Sequence, residues 1–377
     1  MKMKVVVAID SFKGSLSSME AGNACKEGIL KATEAEVVVK PLADGGEGTT
    51  EAFVEGMGGE WVNIQVMGPL GNPVNASYGV LRESKMAIIE MAAAAGIVVE
   101  KQKDVKSATT YGVGEMIRSA VQSGCRNFLV GIGGSATNDC GLGMLTALGV
   151  RFYNADGMPV GIRGKDTGKV AEIDISQMMP ELRECHFQVA CDVNNPLCGE
   201  NGASYIYGPQ KGAEKEELEM FNRFHENFAR CTSEALGNDF KNTPGAGAAG
   251  GLGFAFLSFL NADLQPGIEL VMSAVGMEDE LRDADYVITG EGRLDHQTAM
   301  GKVPVGVAKL AKKYDIPVIG VAGGVTDDAS MCNEEGIDAY FSIVPGAMSL
   351  EEAMDTARAK SNMANTVEQI FRLIGVK

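Results

Sequence analysis

Apolar runs alternate with amphipathic stretches along most of the chain, and this alternation predicts an α/β protein. Near the start, the apolar run 5–9 predicts a buried strand, and residues 17–32 follow with helical spacing after a serine. The pattern recurs with a strand over 37–43 and a helix over 48–57. Strands separated by helices favour parallel sheets, because parallel neighbours need a crossover connection.

The middle of the chain is less regular than its two ends. Its predicted strands are 61–69, 87–92, 128–134, 150–154, 187–193 and 203–209. The end returns to clean alternation, with strands over 285–292, 317–325 and 339–346, a helix over 303–314 and a long final helix from Ser349. Residues 1–64 and 276–377 therefore predict a Rossmann-like, doubly wound parallel-sheet domain, into which a second α/β domain, 65–275, is inserted. The stretch 68–76 is a plausible crossing between them.

Composition and charge narrow the class of protein. The 377 residues carry a net charge of −17 and show no basic stripe of the kind that a nucleic-acid groove needs. The longest uncharged apolar run, 248–260, is shorter than the roughly 20 residues that span a bilayer. The first apolar run is too short for a signal peptide, and the eight cysteines include no CxxC pair. We therefore expect a cytoplasmic enzyme with reduced thiols, without nucleic-acid or membrane partners.

Four loops pair glycines with acidic or hydroxyl residues directly after a predicted strand. They are IDSFKGSLSS (9–18), LADGGEGTT (42–50), IGGSATND (132–139) and TGEGRLDHQT (289–298). In parallel α/β sheets, ligands bind outside the carboxyl ends of the strands, where such loops gather. Four loops of one type suggest a common cleft.

Carboxylates in these and similar loops suggest metal-assisted phosphoryl transfer. The candidates at or just after strand ends are Asp10, Asp44, Glu47, Asp139, Asp192 and Asp295. Magnesium takes one or two carboxylates, with waters and phosphate oxygens completing its shell, and we expect Glu47 and Asp139 to supply them. Phosphoryl transfer also uses an acid that orients the attacking hydroxyl and accepts its proton. Asp44 and Asp192 are the alternatives for that role.

Scarce positive charge and two glycine-rich segments complete the candidate site. Lys13 and Arg293 lie in the first and last of these loops, where a cation could offset phosphate charge or hold a substrate carboxylate. Ser11, Lys211 and Asp295 are candidates for contacts to the substrate. Glycine backbone that converges on an anion predicts cofactor binding at Gly133, Gly134, Ser135, Gly245, Gly247 and Gly250. The chain has no Walker sequence, and its three histidines with no GxSxG make a Ser-His-Asp hydrolase improbable, although His296 beside Asp295 could assist proton transfer.

The segment GIGGSA (131–136) leaves a second interpretation open. It follows a predicted strand, and Asp156 stands about 20 residues on, as in a dinucleotide fingerprint of a nicotinamide-dependent oxidoreductase. Against this, Asp139 would repel a pyrophosphate unless a cation intervened. A regulator that binds small acids or nucleotides without turnover is a third possibility. Assays of ADP release, of NADH absorbance and of binding separate the three.

Seven segments together resemble the bacterial glycerate kinase family. They are DSFKGS (10–15), ADGGEG (43–48), GGSATND (133–139), CDVNNPLCG (191–199), GPQKGA (208–213), PGAGAAGGLG (244–253) and TGEGRLDHQTAMGKVP (290–304). They occur in order from the first strand to the last helix. The chain is most similar to glycerate 2-kinases of the type that serves glucarate, galactarate or glyoxylate breakdown.

The resemblance implies an ATP-dependent kinase that acts on D-glycerate with Mg²⁺. It also implies two α/β domains, one inserted in the other, with the active site between them. This branch of the family implies 2-phosphoglycerate and ADP as products. Within that reaction, we expect Lys13 to neutralise charge on the phosphates or the substrate, and Arg293 to hold the carboxylate of glycerate. Assembly into a homo-oligomer is left open.

Overall fold

The computed structural model describes residues 2–100 and 102–376. Strands and helices alternate along these ranges, as the apolar pattern predicts. In chain order, strands β1 to β13 are Lys4–Ile9, Glu36–Pro41, Glu60–Met67, Pro73–Leu81, Met86–Glu90, Asn127–Gly131, Arg151–Tyr153, Glu172–Asp174, His186–Ala190, Asp263–Gln265, Tyr286–Leu294, Val318–Val325 and Ala339–Ser342.

The α-helices range from single turns to six turns. In chain order, α1 to α15 are Ser18–Ala32, Thr49–Met57, Ala92–Ala95, Tyr111–Gln122, Leu142–Ala147, Ala203–Tyr207, Lys215–Leu236, Ala248–Leu260, Gly267–Ala274, Met277–Leu281, His296–Ala299, Val303–Lys312, Met331–Glu334, Leu350–Met354 and Thr356–Ile374. Short 3₁₀ segments occur at Gly164–Lys169, Pro180–Glu184, Pro209–Lys211 and Asp327–Ser330.

The chain divides into two compact units. Unit 1 comprises Met1–Asp44, Glu51–Gly58 and Ile268–Lys377, and unit 2 comprises Gly45–Thr50 and Gly59–Gly267. The domain limits predicted from the sequence, after residues 64 and 275, differ from these by several residues. The difference at the first limit arises because β3 pairs along its whole length with β4 inside unit 2.

Unit 1 is built on a five-stranded parallel sheet with the order β2-β1-β11-β12-β13. This is a doubly wound order, in which the chain reverses its direction of travel between β1 and β11. Residues 5–9 of β1 are completely buried, so both faces of the sheet are covered. Helices α1 and α15 pack together over one face, and α12 packs against β1, β11 and β12. Ligands of such sheets bind where the direction reverses, at the carboxyl ends of β1 and β11.

Unit 2 contains a six-stranded mixed sheet with the order β10-β9-β6-β5-β4-β3. Its β5, β6, β9 and β10 run parallel, whereas β3, β4 and β5 form an antiparallel meander. A separate antiparallel pair is formed by β7 and β8. Helices α4 and α8 contribute buried residues to one large core against this sheet. The α/β class predicted from the sequence is confirmed, while the sheet of unit 2 is only partly parallel.

Three local predictions differ from the structure. Residues 203–209 were predicted as a strand, but Ala203–Tyr207 is a helix whose first turn packs against α8. The stretch 68–76 was read as a crossing between domains, but it holds the β3–β4 turn and the first residues of β4. The long final helix is broken at Asp355, which ends α14 and accepts a hydrogen bond from the Arg358 backbone as the cap of α15.

All eight cysteines are free thiols, as expected for a chain without a disulfide framework. Within the described residues, no helix is both long and apolar enough to cross a membrane.

Candidate active site

A cavity of about 650 Å³ lies at the carboxyl ends of the parallel strands of unit 1, and we call it the strand-end cavity. Every strand of that sheet contributes to it, directly or through the loop that follows. Four carboxylates line it, those of Asp10, Asp44, Glu291 and Asp295, together with three cations, Lys13, Arg293 and Lys302. Its volume lies within the range of about 300–1,000 Å³ that is typical of ligand pockets.

Asp10 is the most buried carboxylate of the strand-end cavity. It follows β1 directly, and its backbone N–H donates to the Gly290 carbonyl of β11 at 2.9 Å. Only 7% of Asp10 is exposed, and its Oδ1 accepts a 2.6 Å hydrogen bond from the Ser11 N–H. Burial, reinforced by the negative charge of Asp44, raises the pKa of Asp10 to about 7. A carboxylate with this pKa can accept a proton near neutral pH.

The loop after Asp10 carries Lys13 into solvent at its tip. Phe12 and Leu16 close this loop through a pair of backbone hydrogen bonds, and Gly14 has a positive φ of 77° between them. Ser17 then caps α1 in a reciprocal capping box with Glu20, which fixes where the loop ends. Lys13 is exposed, and its charge opposes the rise in the pKa of Asp10.

Glu291 lies on β11 and is held by two neighbours. Thr298 Oγ1 donates to its Oε1 at 2.7 Å, and Lys302 Nζ is 3.8 Å from its Oε2. Burial raises the pKa of Glu291, and the negative charges of Asp295 and Asp44 add to the rise. The carboxylates of this cavity thus carry more negative charge than the neighbouring cations offset, which favours a cation or a proton among them.

Arg293 and Asp295 form the outer part of the same strand end. The Arg293 side chain is 67% exposed, and its Nε lies 3.8 Å from Asp295 Oδ2. Asp295 caps the short helix α11 by accepting from the N–H groups of Gln297 and Thr298. The guanidinium is therefore positioned beside the cavity while most of its donors face solvent.

Five residues predicted from the sequence meet in the strand-end cavity: Ser11, Lys13, Asp44, Arg293 and Asp295. Sequence reasoning gave no specific role to Asp10 and missed Glu291, Lys302 and the backbone of Gly323 and Gly324. The signal for the last pair was available, because PVIGVAGGV places two glycines at the end of a predicted strand. His296 pairs instead with Asp328 at 3.3 Å on the surface.

The other predicted residues belong to unit 2, where Gly133 and Gly134 are exposed in the loop after β6. The neighbouring Ser135 is buried, and its Oγ accepts a 2.7 Å hydrogen bond from Lys211 Nζ. Lys211 also donates to the Thr137 carbonyl at 2.7 Å. Burial lowers the pKa of Lys211 to about 7. Through these two hydrogen bonds, Lys211 thus holds Ser135 and Thr137 of the loop in place.

Asp139 is completely buried at the end of that loop. Its Oδ2 accepts from the N–H of Thr110 at 2.8 Å, the hydroxyl of Thr110 at 2.9 Å and the N–H of Gly143 at 3.3 Å, while its Oδ1 accepts from Gly141 at 3.2 Å. Burial raises the pKa of Asp139, and these hydrogen bonds oppose the rise. The metal role that the sequence suggested for Asp139 stays a prediction, and the contacts of this carboxylate are those of a buried cap.

The second glycine-rich segment, with Gly245, Gly247 and Gly250, is buried. A Cβ on Gly247 would lie 2.2 Å from the Pro196 carbonyl oxygen, and one on Gly250 would lie 2.2 Å from that of Thr137. Gly250 also has a positive φ of 67°. These glycines are required by close backbone packing. Their predicted contact with a cofactor stays a prediction.

Asp192 and Glu47 are the remaining carboxylates of unit 2 among the predicted site residues. Asp192 follows β9, and its Oδ1 accepts a 2.9 Å hydrogen bond from the Gly267 N–H. Glu47 is exposed in the turn before α2, and its charge adds to the rise that partial burial causes in the pKa of Glu90. Both side chains follow strand ends, as the sequence predicted.

The comparisons with known proteins decide the family. The model of the glycerate kinase family matches residues 5–375. The chain belongs to this family. It is 47% identical to a glycerate kinase of Bacillus subtilis (strain 168), over 94% of each chain. It is 46% identical to glycerate 2-kinase of Escherichia coli (strain K12), over 97% of this chain and 98% of the relative.

A solved structure confirms the fold of this glycerate kinase family member. The crystal structure of glycerate kinase 2 from Salmonella typhimurium LT2 superposes with a TM-score of 0.91 at 44% identity, covering 99% of this chain and 98% of the other. The chain is therefore an enzyme with the fold of this kinase family.

The oxidoreductase interpretation of GIGGSA is wrong for this family member. A dinucleotide fingerprint needs a helix directly after the glycines, but α5 begins only at Leu142. Asp156 lies in an exposed turn after β7, and β7 pairs with β8 in a separate two-stranded sheet. The acid therefore does not stand at the end of a strand adjacent to β6.

Across residues 2–100 and 102–376, no group of three or more His, Cys, Asp or Glu side chains is gathered closely enough to form a metal cage. Magnesium does not require one, because it is usually held by one or two carboxylates plus phosphate oxygens. The carboxylates of the strand-end cavity fit that mode of binding.

Proposed function

We propose that this enzyme transfers the γ-phosphoryl group of ATP to the 2-hydroxyl of D-glycerate, giving 2-phospho-D-glycerate and ADP, with Mg²⁺ as cofactor. The glycerate oxygen forms a bond to the γ-phosphorus, and the bond between that phosphorus and the oxygen bridging to the β-phosphate breaks. The proton of the hydroxyl passes to a carboxylate of the enzyme. Positioning and charge stabilisation account for most of the catalysis in reactions of this type.

The observation that carries the proposal is the strand-end cavity, which is lined by the Asp10 carboxylate together with Lys13 and Arg293. A phosphoryl transfer between an alcohol and a nucleotide needs a proton acceptor and cations in one place. Asp10 supplies the acceptor, because its pKa of about 7 suits proton transfer near neutral pH. The sequence favoured Asp44 or Asp192 instead. Asp44 lines the same cavity, and we assign it to Mg²⁺ together with Glu291.

The cations of the strand-end cavity take the remaining roles, which are binding of the substrate and neutralisation of phosphate charge. Arg293 is exposed beside Asp295, and a guanidinium binds a carboxylate through two parallel hydrogen bonds. We assign Arg293, with Ser11 and Asp295, to the carboxylate and free hydroxyl of glycerate. Lys13 lies at the tip of its loop and would offset charge on the transferring phosphoryl group.

Asp44 and Glu291 are the carboxylates that would hold Mg²⁺, which neutralises phosphate charge when bound. Burial, with the negative charges of Asp295 and Asp44, raises the pKa of Glu291, so a cation bound beside this carboxylate would offset its unfavourable charge. Glu47, exposed in unit 2, stays an alternative ligand.

Cofactor binding by the exposed backbone of Gly133 and Gly134 in unit 2 stays a prediction from the sequence. Ser135 and Lys211 would maintain the shape of that loop through their 2.7 Å hydrogen bond. The choice of the 2-hydroxyl is supported by the name of the Escherichia coli relative, glycerate 2-kinase.

A coupled assay of the purified enzyme tests the proposal. ADP release should require both D-glycerate and Mg²⁺, and phosphorus NMR of the product should show 2-phosphoglycerate. A product phosphorylated at the 3-position would overturn the regiochemistry alone. Binding of both ligands without ADP release would contradict the proposed reaction.

A further inference from the structure

The strand-end cavity changes in character from one side of the sheet to the other. Its charged side chains stand at the ends of β2, β1 and β11, where Asp44, Asp10 and Glu291 lie. At and after the ends of β12 and β13 the described lining residues carry no charge, and apart from Thr326 they are glycines and apolar side chains, including Gly324, Val344 and Leu350. The cavity therefore has a polar half and an apolar half that follow the strand order.

The length of the cavity exceeds what a small acid needs. Neighbouring strands are about 4.8 Å apart, so the ends of β1 and β13 are separated by roughly 14 Å. Glycerate, built on two C–C bonds of about 1.5 Å each, spans about one strand spacing. The polar half alone accommodates it, and the apolar half remains for a second, longer ligand.

The apolar half is attached to the loop that carries Lys13. A Cβ on Gly14 would lie 2.9 Å from the Met354 Cε, and Thr356 Oγ1 donates to the Ser15 carbonyl at 2.9 Å. Met354 lines the cavity at the end of α14, and Leu350 lines it at the start, with 75% of its surface exposed. A ligand bound against Leu350 and Met354 would therefore extend past Lys13 towards Asp10.

Part of the lining of the apolar half has no side chain. Gly324 lies near the end of β12, and a Cβ placed on it would meet only the Arg293 side chain, at 3.8 Å. The space above this glycine is open, so a flat or extended group can lie close to the backbone.

We propose that the wall formed by Gly324, Val344, Leu350 and Met354 binds the purine base and ribose of the nucleotide. The inference rests on the proposed use of ATP. The sequence predicted cofactor-binding glycines in unit 2 and placed Lys13 on the phosphates or the substrate, whereas the strand-end cavity adds apolar surface for the base beside its cations. Apolar contact of this kind favours a nucleoside over a bare phosphate chain.

The test replaces Leu350 with glutamine, which keeps the size of the side chain and removes its apolar end. Because Leu350 is exposed, L350Q should fold with an unchanged Tm. The KM for ATP should rise about tenfold, while the KM for D-glycerate and kcat stay within about twofold. Leu373→Gln is the matched control, since Leu373 is 70% exposed on α15 and does not line the cavity. It should change none of these values.

Calorimetric binding separates this inference from the proposed reaction. Wild-type enzyme should bind ATP more tightly than inorganic tripolyphosphate, and L350Q should lose most of that difference without weaker binding of tripolyphosphate. An active L350Q enzyme with an unchanged KM for ATP would overturn the inference and leave the kinase reaction standing. A wild-type enzyme that binds ATP more tightly than tripolyphosphate but releases no ADP would overturn the reaction alone. Equal binding of the two by the wild type would overturn the base site.

Discussion

Units 1 and 2 both carry glycine-rich, acid-containing loops after parallel strands, but the loops differ in their surroundings. In unit 1, Lys13, Asp44 and Arg293 line a cavity of about 650 Å³. In unit 2, Asp139 and Gly247 are buried against protein atoms of the same unit. One sequence pattern therefore lines a cavity in the first unit and, at Asp139 and Gly247, packs into the interior of the second.

This difference divides the candidate residues into groups that line the cavity and groups that are buried. Groups that line the strand-end cavity should affect turnover more than folding, because they border space that a ligand can occupy. Buried groups of unit 2 should affect folding more than turnover, because removing them leaves cavities, clashes or unpaired donors. Each substitution below tests one side of this division.

Lys13→Met should have the largest effect on turnover. The side chain is exposed, so its loss should leave Tm unchanged, while the charge that offsets the phosphoryl group disappears. We expect kcat to fall by about 10³-fold or more, measured as ADP release at saturating substrates. Lys309→Met, an exposed lysine of α12 paired with Glu335, is the control and should retain full activity. A near-normal kcat for K13M would remove Lys13 from the mechanism.

Asp10→Asn should separate activity from stability within unit 1. Loss of the proton acceptor should lower kcat by about 10²–10³-fold. The pKa of Asp10 is raised to about 7, so the folded state holds a proton between about pH 4 and 7 that the unfolded state has released. Native stability contributed by this group is therefore present at low pH and lost as pH rises through 7.

The asparagine variant of Asp10 avoids that loss. At pH 8 its free energy of unfolding should exceed that of the wild type by roughly 2–4 kcal/mol, and the gain should vanish near pH 4. Urea titrations at the two pH values measure it. Asp279→Asn, an 80% exposed side chain on α10, is the control. Equal stability of D10N and wild type at pH 8 would show that Asp10 is not held in an unfavourable buried state.

The central strands of unit 1 were predictable because they are apolar runs buried on both faces, as residues 5–9 show. The edge strands β2 and β13 are largely apolar but only partly buried. Strand β4 was missed, since PVNASYGVL mixes proline, asparagine and glycine with apolar residues and is buried mainly towards its end. Residues 203–207 contain tyrosine and isoleucine, which favour strands, yet the tertiary packing of α6 imposes a helix.

The candidate site was predictable only where position along a strand decided it. Lys13, Asp44 and Arg293 could be placed at strand ends from the sequence, and they meet in one cavity. Whether a glycine lies under open space or against a carbonyl depends on distant segments, such as Pro196 opposite Gly247. No local pattern carries that information. The role proposed for Asp10 likewise depends on its burial, which the spacing of residues along the sequence does not show.

Asp139→Asn tests the role of the buried residues of unit 2. Both carboxylate oxygens accept hydrogen bonds from buried donors, and an amide would turn an N–H₂ group towards some of them. We expect the free energy of unfolding to fall by about 3 kcal/mol, with the Mg²⁺ concentration for half-maximal activity unchanged. Asp156→Asn, in an exposed turn of the same unit, should do neither. Unchanged stability with a higher Mg²⁺ requirement would restore the metal role predicted from the sequence.

A pair of glycine substitutions gives the smallest and most closely matched test. A Cβ on Gly247 would lie 2.2 Å from the Pro196 carbonyl oxygen, whereas a Cβ on Gly324 has no neighbour nearer than 3.8 Å. Neither glycine has a positive φ, so space alone distinguishes them. Gly247→Ala should lower the free energy of unfolding by about 1–3 kcal/mol and leave the KM for ATP unchanged. Gly324→Ala should leave stability within about 0.5 kcal/mol and raise the KM for ATP, because its methyl group enters the cavity. Equal destabilisation by the two changes would mean that the glycines of the two units are packed alike.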